Sequence, residues 1–229
     1  IPGSAKMLIV KTDASGNLLW KREFGTAGHN LGNTVHEVAD GYLVCGALNR
    51  NSTILKLDKM TGATVWNRSH NNGGTDAYEH VVETDTGLLA VGYVQAEDDL
   101  NTFYTEGQAY MAMLDANGNK LSGTSLNAHL SHAYRVVRSG NAIYIAGLTS
   151  EALDYALLKL DLSGNVTWAK TYGGTSADHC FGLDLATDGS LFLTGHTTSG
   201  TINWDTYTMK LDSDGNLLWE TKRGTPRGF

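Results

Sequence analysis

The chain has 229 residues, 41% of them aliphatic, aromatic or cysteine, enough to build one large all-β domain or two small ones. Charged residues make up only 18%, glycine is abundant at 27 residues, and the only two prolines, Pro2 and Pro226, sit at the ends; this composition suits short strands and tight turns and argues against a long disordered linker. A formal net charge of −7 repels phosphate backbones, which sets aside nucleic acid as a partner, and no apolar run nears the roughly 18 residues of a membrane span.

The opening, Ile1-Pro2-Gly3-Ser4, carries no secretory leader and reads as a processed end or an appended remnant. A hairpin is expected next, over about residues 5–22. It contains the first copy of a recurring phrase, Lys11-Thr12-Asp13-Ala14-Ser15-Gly16-Asn17-Leu18-Leu19-Trp20. The phrase returns as Lys56-Leu57-Asp58 with Thr61-Gly62 and Trp66, weakly as Met113 to Asn119, then clearly at Lys159 to Trp168 and Lys210 to Trp219. Its anchoring aspartates are Asp13, Asp58, Asp115, Asp161 and Asp212. A second phrase alternates with it four times: a strand, a turn, and a strand ending in glycine. Its copies are Val35 to Gly46, Val81 to Gly92, Arg135 to Gly147 and Leu183 to Gly195.

Asp-x-x-Gly-Asn places a self-capping Asp and a positive-φ residue in a tight hairpin. The flanks alternate β-formers with period two, as in Tyr207-Thr208-Met209-Lys210-Leu211. Each repeat of about 46 residues therefore gives two hairpins, which is the size of a propeller blade. One such sheet cannot bury both faces; packed against copies of itself it can. The fold class expected is all-β: a β-propeller of about five four-stranded antiparallel blades, with four full blades preceded by an N-terminal half-blade, forming a single domain over residues 1–229. Trp20, Trp66, Trp168 and Trp219 are expected on outermost strands, wedged between adjacent blades. Ser122 takes that place in the third copy and predicts looser packing there.

The stretch Asp154 to Gly174 resembles the β-propeller repeat common in secreted bacterial proteins, and Asp58, Thr61-Gly62 and Trp66 resemble the tryptophan-docking motif of quinoprotein-like propellers. The resemblance covers nearly the whole chain and implies a fold; it says almost nothing of an activity. Quinoprotein dehydrogenases are eight-bladed and far longer, and their cofactor and calcium ligands cannot be mapped onto this chain. No cofactor and no metal are expected.

Four and a half blades leave one inner hairpin missing. Either the chain is a piece of a longer propeller, or its seam is filled by a partner or left bare. An unpaired inner edge would favour self-association through that seam.

The Asp-Gly and Asp-x-x-Gly-Asn turns fall on one face. The longer inter-blade and mid-blade loops fall on the other and gather the unusual residues. Expected ligand-binding positions there are His29, Asn30, Asp76, His132, Asp178, His179 and Tyr104, the last in the long insertion of residues 95–108. Asn30, Asp76, His132 and Asp178 hold equivalent places, and the alternative role for each is a cap on the turn into the inner strand. Asp154 and Asp205 recur seven residues before their anchors, with Asn51 and Gln108 at the same offset; a structural hydrogen bond to the neighbouring loop is expected of these.

Several motifs fail. His36-Glu37-Val38-Ala39-Asp40 resembles a zinc-protease start but lacks the second His and reads as a strand. No nucleophile elbow, phosphate loop, dinucleotide fingerprint or zinc spacing is present. Asp212-x-Asp214-x-Asn216 and Glu97-Asp98-Asp99 have a calcium-like look, yet read as a turn and a solvated loop. Cys45 and Cys180 read as unpaired, buried small residues. Three sequons, at Asn51, Asn67 and Asn165, matter only in a secreted eukaryotic protein.

The expected function is a non-catalytic, extracellular or cell-surface binding or scaffold module for a protein or glycan ligand. The first alternative is a lectin-like five-bladed propeller in which Tyr104, Phe103 or Trp204 stacks on sugars. The second is a propeller hydrolase or lyase acting on glycans, which needs acidic residues such as Asp76 and Asp178 to converge.

Overall fold

The computed structural model of the chain describes residues 5–26, 28–96, 107–149, 153–200 and 203–224, and contains eighteen strands and no helix among them. Accordingly, no helix there is long and apolar enough to cross a membrane. The chain divides into two compact units, Ile1–Thr124 and Ser125–Phe229.

The first unit opens with β1 (Met7–Thr12) and β2 (Leu18–Phe24), a two-stranded sheet that matches the expected half-blade. Two four-stranded sheets follow. One is made of β3 (Leu31–Val38), β4 (Gly41–Leu48), β5 (Asn51–Leu57) and β6 (Thr64–His70). The other is made of β7 (Thr75–Thr84), β8 (Gly87–Ala96), β9 (Gln108–Leu114) and β10 (Lys120–Ser125). The second unit holds β11 (His132–Ser139), β12 (Ala142–Leu148), β13 (Tyr155–Leu160) and β14 (Val166–Tyr172), then β15 (Asp178–Leu185), β16 (Leu191–Thr197), β17 (Asp205–Leu211) and β18 (Leu217–Arg223). Every sheet is an antiparallel meander in chain order.

The two phrases explain the two kinds of turn. In Asp-x-x-Gly-Asn, Asp161 Oδ1 accepts the Ser163 and Asn165 N–H groups, both at 2.9 Å, and Oδ2 accepts Asn165 Nδ2 at 2.9 Å. Gly164 supplies the required φ of +85°. Asp13, Asp115 and Asp212 repeat this pattern, so Asp212-x-Asp214-x-Asn216 is a plain turn. The glycine closing the second phrase has a different cause. At Gly46, Gly92, Gly147 and Gly195 a Cβ would stand 1.8–2.1 Å from the carbonyl oxygen of Leu31, Ala77, His132 or His179 on the preceding strand. Register shifts between these strands bring the carbonyl over the glycine.

Burial concentrates on inner strands. Most of β4, β7 and β8 is buried, whereas β10 is exposed throughout, with Ser122 on it. Tyr144, Tyr155, Tyr207, Leu193 and Met209 belong to the core of the second unit; Cys45, Ile54, Tyr78 and Val81 form part of that of the first. Cys45 and Cys180 are free and buried, and burial pushes the Cys180 thiol up to about 12. His36 and Glu37 lie on β3, not on a helix.

Adjacent sheets are joined by the tryptophans. A Cβ on Gly62 would lie 2.7 Å from the Trp20 ring, one on Gly118 would lie 2.7 Å from Trp66, and one on Gly215 would lie 2.8 Å from Trp168. Each ring thus sits flush on the turn glycine of the next repeat. The residue two positions on adds a cation. Arg22 donates to Thr61 O, Arg68 Nε to Asn119 Oδ1 at 2.7 Å, and Lys170 Nζ to Asp214 O at 2.6 Å. The same cations lie 5.4–5.9 Å from the centroids of the indoles that precede them. Trp219 departs from the expectation: it is 44% exposed and meets Phe192 edge-on.

Two predictions follow from this packing. Gly118→Ala should lower stability by about 1–3 kcal/mol more than Gly16→Ala, measured by urea unfolding, because both glycines have positive φ but only Gly118 lies under an indole. Hydrogen bonds from the neighbouring Asn hold Asp13, Asp115, Asp161 and Asp212 below their usual 3.8. Their contribution is therefore present above that value and lost as pH falls below it, so the urea midpoint should drop on acidification through this range, and less so in an Asp161→Asn variant.

Candidate functional site

The expected ligand positions lie where inner strands begin, and the structure ties most of them into their own turns. In the first unit Asn30 is buried. Its Oδ1 accepts the Asn49 N–H at 2.8 Å, and its Nδ2 donates to Ala5 O at 2.8 Å and Gly28 O at 3.2 Å. Asp76 does the same work with a charge: Oδ2 accepts the Asn72 N–H at 2.6 Å and Oδ1 the Gln95 N–H at 2.8 Å. Burial raises the Asp76 carboxyl, and those two backbone bonds pull it back. Main-chain bonds link these positions in series: Arg50 N donates to His29 O at 3.0 Å, and Asp76 N donates to Arg50 O at 2.9 Å. His29, Asn30 and Asp76 thus stand together at one end of their sheets.

In the second unit the same position is held by His132 and Asp178. Asp178 N donates to Leu153 O at 3.1 Å, the counterpart of the Asp76–Arg50 bond, and Gly174 N donates to Asp178 Oδ2 at 2.6 Å. His132 is buried, with Nδ1 3.3 Å from Ser131 Oγ, and it stacks on Tyr134 at 5.8 Å. Rings then run on without a break: Tyr134 to Phe181 at 5.3 Å, Phe181 to His179 at 6.1 Å and to His196 at 5.2 Å.

This chain of rings ends in an exposed aromatic surface. His179 and His196 stand directly opposite one another on β15 and β16, with His196 Nε2 3.2 Å from His179 Nδ1. Trp204, 51% exposed, lies against both, 4.7 Å from the His179 ring and 4.2 Å from His196. Sequence reading placed His179 here and named Trp204 as a sugar-stacking candidate. It missed His196, Phe181 and Tyr134, because only the β15–β16 register puts positions 179 and 196 face to face. The one available signal was His196 directly after the invariant phrase-ending glycine, Gly195. Tyr104 and Phe103 lie outside the described residues, as does the Glu97-Asp98-Asp99 run.

The offset residues divide. Asn51 Nδ2 donates to Asn49 O at 3.3 Å and Gln108 Nε2 to Gln95 Oε1 at 3.2 Å, as expected of loop-bracing groups. Asp154 is a correction: its buried Oδ1 has no hydrogen-bond partner among the described residues. No group of three or more His, Cys, Asp or Glu positioned for a metal ion occurs among those residues.

Burial holds both His179 and His196 below the usual 6.5; for His179 the neighbouring His196 lowers it further and the Asp178 charge opposes the shift. Both are therefore favoured as neutral rings in the fold. Stability should fall as pH drops through 6.5, where the unfolded chain takes up the protons first, and His196→Asn should flatten that slope in urea titrations between about pH 7.5 and 5.5.

No family model matches the chain, and no curated protein matches it. Solved structures do. The Dos1 propeller superposes with a TM-score of 0.61 at 14% identity, covering 96% of this chain and 54% of that one. Quinohemoprotein alcohol dehydrogenase from Comamonas testosteroni gives 0.56 at 12% identity, over 97% of this chain and 41% of that one. A subtype N10 neuraminidase-like protein of A/little yellow-shouldered bat/Guatemala/060/2010 gives 0.54 at 12% identity, over 91% and 71%. The chain spans about half the length of the first two. At these identities the likeness concerns the fold alone, and with the meandering four-stranded sheets it makes this chain an all-β protein of the β-propeller fold.

Proposed function

We propose that this chain is a non-catalytic binding or scaffold module, acting outside the cell or at its surface, that meets its protein or glycan ligand on the loop face. The observation carrying this reading is Trp204: a half-exposed indole backed by two imidazoles, fixed to a rigid β scaffold at the end where the loops vary. Of the other positions, Asn30, Asp76, His132, Asp178 and His179 are buried, so a ligand would feel them through the loops they brace. The extracellular placement rests on the likeness of the repeat to secreted bacterial propeller repeats.

The lectin-like alternative draws on the same surface, because a flat exposed indole flanked by hydrogen-bonding rings is suited to the apolar face of a sugar. The hydrolase alternative has less support: Asp76 is buried and each of its oxygens accepts a backbone N–H, which commits that carboxylate to bracing its own loop. Self-association is supported by the half-blade. Among the described residues β1 pairs only with β2, and a groove of about 270 Å³ lined by Leu8, Val10, Val35 and Val44 adjoins it. Leu8, Val10 and Val35 are exposed there.

A glycan array separates the readings. A hit whose affinity falls about tenfold in Trp204→Ala, equal to about 1.4 kcal/mol, identifies the lectin function. An array without hits removes it, and Trp204 then becomes the site to probe in a protein-capture assay. Light scattering coupled to size exclusion tests the seam, and a concentration-independent monomer would exclude pairing between copies.

A further inference from the structure

The four-stranded sheets align on the glycine that closes their second phrase. In three of them the residue before that glycine, and its partner on the next strand, are apolar and buried. Cys45 stands opposite Ile54, Val91 opposite Met111, and Ala146 opposite Leu157. In the β15–β18 sheet the same pair is Thr194 and Thr208, and Thr194 is exposed. The other face of this sheet keeps its core, with Leu191, Leu193, Tyr207, Met209 and Leu211 all buried. The change is thus confined to one face, and the residues themselves mark that face as unsuited to covering by an aliphatic surface, which would leave two hydroxyls without water.

Two open indoles bound this face. At one end Trp204, 51% exposed, rests on His196 and His179. At the other Trp219, 44% exposed, meets Phe192 edge-on at 5.8 Å. Strand alternation places Phe192, Thr194 and His196 of β16 on the same side, with Thr206, Thr208 and Lys210 opposite them on β17. His196 pairs with Thr206, and Trp219 pairs with Lys210, so the two indoles are stationed four residues apart along β17, about 13 Å. Between them the Thr194 and Thr208 hydroxyls stand 3.2 Å apart and share one hydrogen bond, which leaves further donor and acceptor positions open. Lys210 Nζ is held by Asp188 at 2.9 Å and lies 5.5 Å from the Phe192 ring centroid. A polar outer face would be enough to end a stack of repeats in water. It would not call for an open indole at each end of a strip of hydroxyls.

We propose that this face of the β15–β18 sheet binds an extended, linear oligosaccharide laid along β17, with one sugar on Trp204, another on Trp219, and the hydroxyls of the intervening units on Thr194 and Thr208. The inference rests on the glycan branch of the proposed function and carries it from a single indole to a site spanning the sheet. A pyranose ring has an apolar face of C–H groups and a rim of hydroxyls. The indoles suit the first and the threonines the second. A protein partner would be anchored better by the aliphatic pairs that the other sheets carry at this place. A flat β-linked chain is straight over the length that separates the indoles, as β17 is, so both rings can be engaged at once. The second contact is then made within a complex already formed, and affinity rises with chain length.

The test uses the whole chain on an array of linear oligosaccharides of graded length, followed by calorimetric titration with cellobiose and cellohexaose and with chitobiose and chitohexaose. For the series that binds, the hexasaccharide should bind about tenfold more tightly than the disaccharide. Trp219→Ala, at a half-exposed position, should fold and lose that gain, while the disaccharide, held on Trp204, binds as before. Trp204→Ala should weaken both. Thr208→Ile, which restores the residue type of the β3–β6 sheet, should melt no lower than the wild type and weaken the hexasaccharide. A hexasaccharide that binds no tighter than the disaccharide, or a Trp219→Ala variant that titrates like the wild type, overturns this proposal alone and leaves Trp204 as a single-sugar site. An array on which nothing binds removes the glycan reading and the proposal together. Capture of a protein partner, or self-association in light scattering, that is lost in Trp219→Ala would assign the face to a protein surface and overturn the proposal as well.

Discussion

The contact on which the architecture depends is an indole lying flat on a glycine. Trp20, Trp66 and Trp168 each close one repeat and cover the turn glycine of the next, Gly62, Gly118 and Gly215. A four-stranded sheet has two apolar faces and cannot cover both alone, so the repeat is stable only as far as its neighbour is held against it. The turn must present a surface without a Cβ, and the same glycine must adopt positive φ to close the hairpin. One residue type satisfies both demands, which is why Asp-x-x-Gly-Asn and the Trp recur together. The Arg or Lys two positions later joins ring and turn by bonding to the turn's own carbonyl or Asn.

At the opposite end the sheets are joined by polar groups. At Asp76 and Asp178 a buried side chain at the start of the inner strand orders the preceding loop, while its N–H reaches back to the previous sheet. Asparagine orders its loop at position 30 without charge. Aspartate at 76 does it with a charge that two amide dipoles offset. At position 178 that offset is incomplete: Oδ2 accepts the Gly174 N–H and the Ser199 hydroxyl, and Oδ1 has no partner among the described residues. Departures from a well-satisfied repeat are where function tends to be stored, because stability alone would have removed them. The His179–His196–Trp204 group is a second such departure, pairing two imidazoles under a half-exposed indole where the register of the other sheets pairs Leu31 with Ala47, Ala77 with Tyr93 and His132 with Leu148.

By itself the sequence determined the repeat and almost everything local to it: the anchoring Asp and its glycine, the two hairpins per unit, the opening half-blade, and the free buried Cys45 and Cys180. These follow from short-range chemistry, since an Asp that caps its own turn and a glycine with positive φ need no distant partner to declare themselves. Tertiary structure decided what depends on register and on neighbours. That His196 faces His179 is set by the pairing of β15 with β16. That Trp219 stays open while Trp168 is docked depends on what stands beside each ring. That Asp154 Oδ1 and Asp178 Oδ2 each lie 2.7 Å from where a Cβ on Gly173 would stand, when the offset counterparts Asn51 and Gln108 merely brace loops, depends on three segments converging. Side chains about twenty residues apart in sequence become neighbours only when strands pair, so the pattern along the chain could name the scaffold but could not show which charges it would press together.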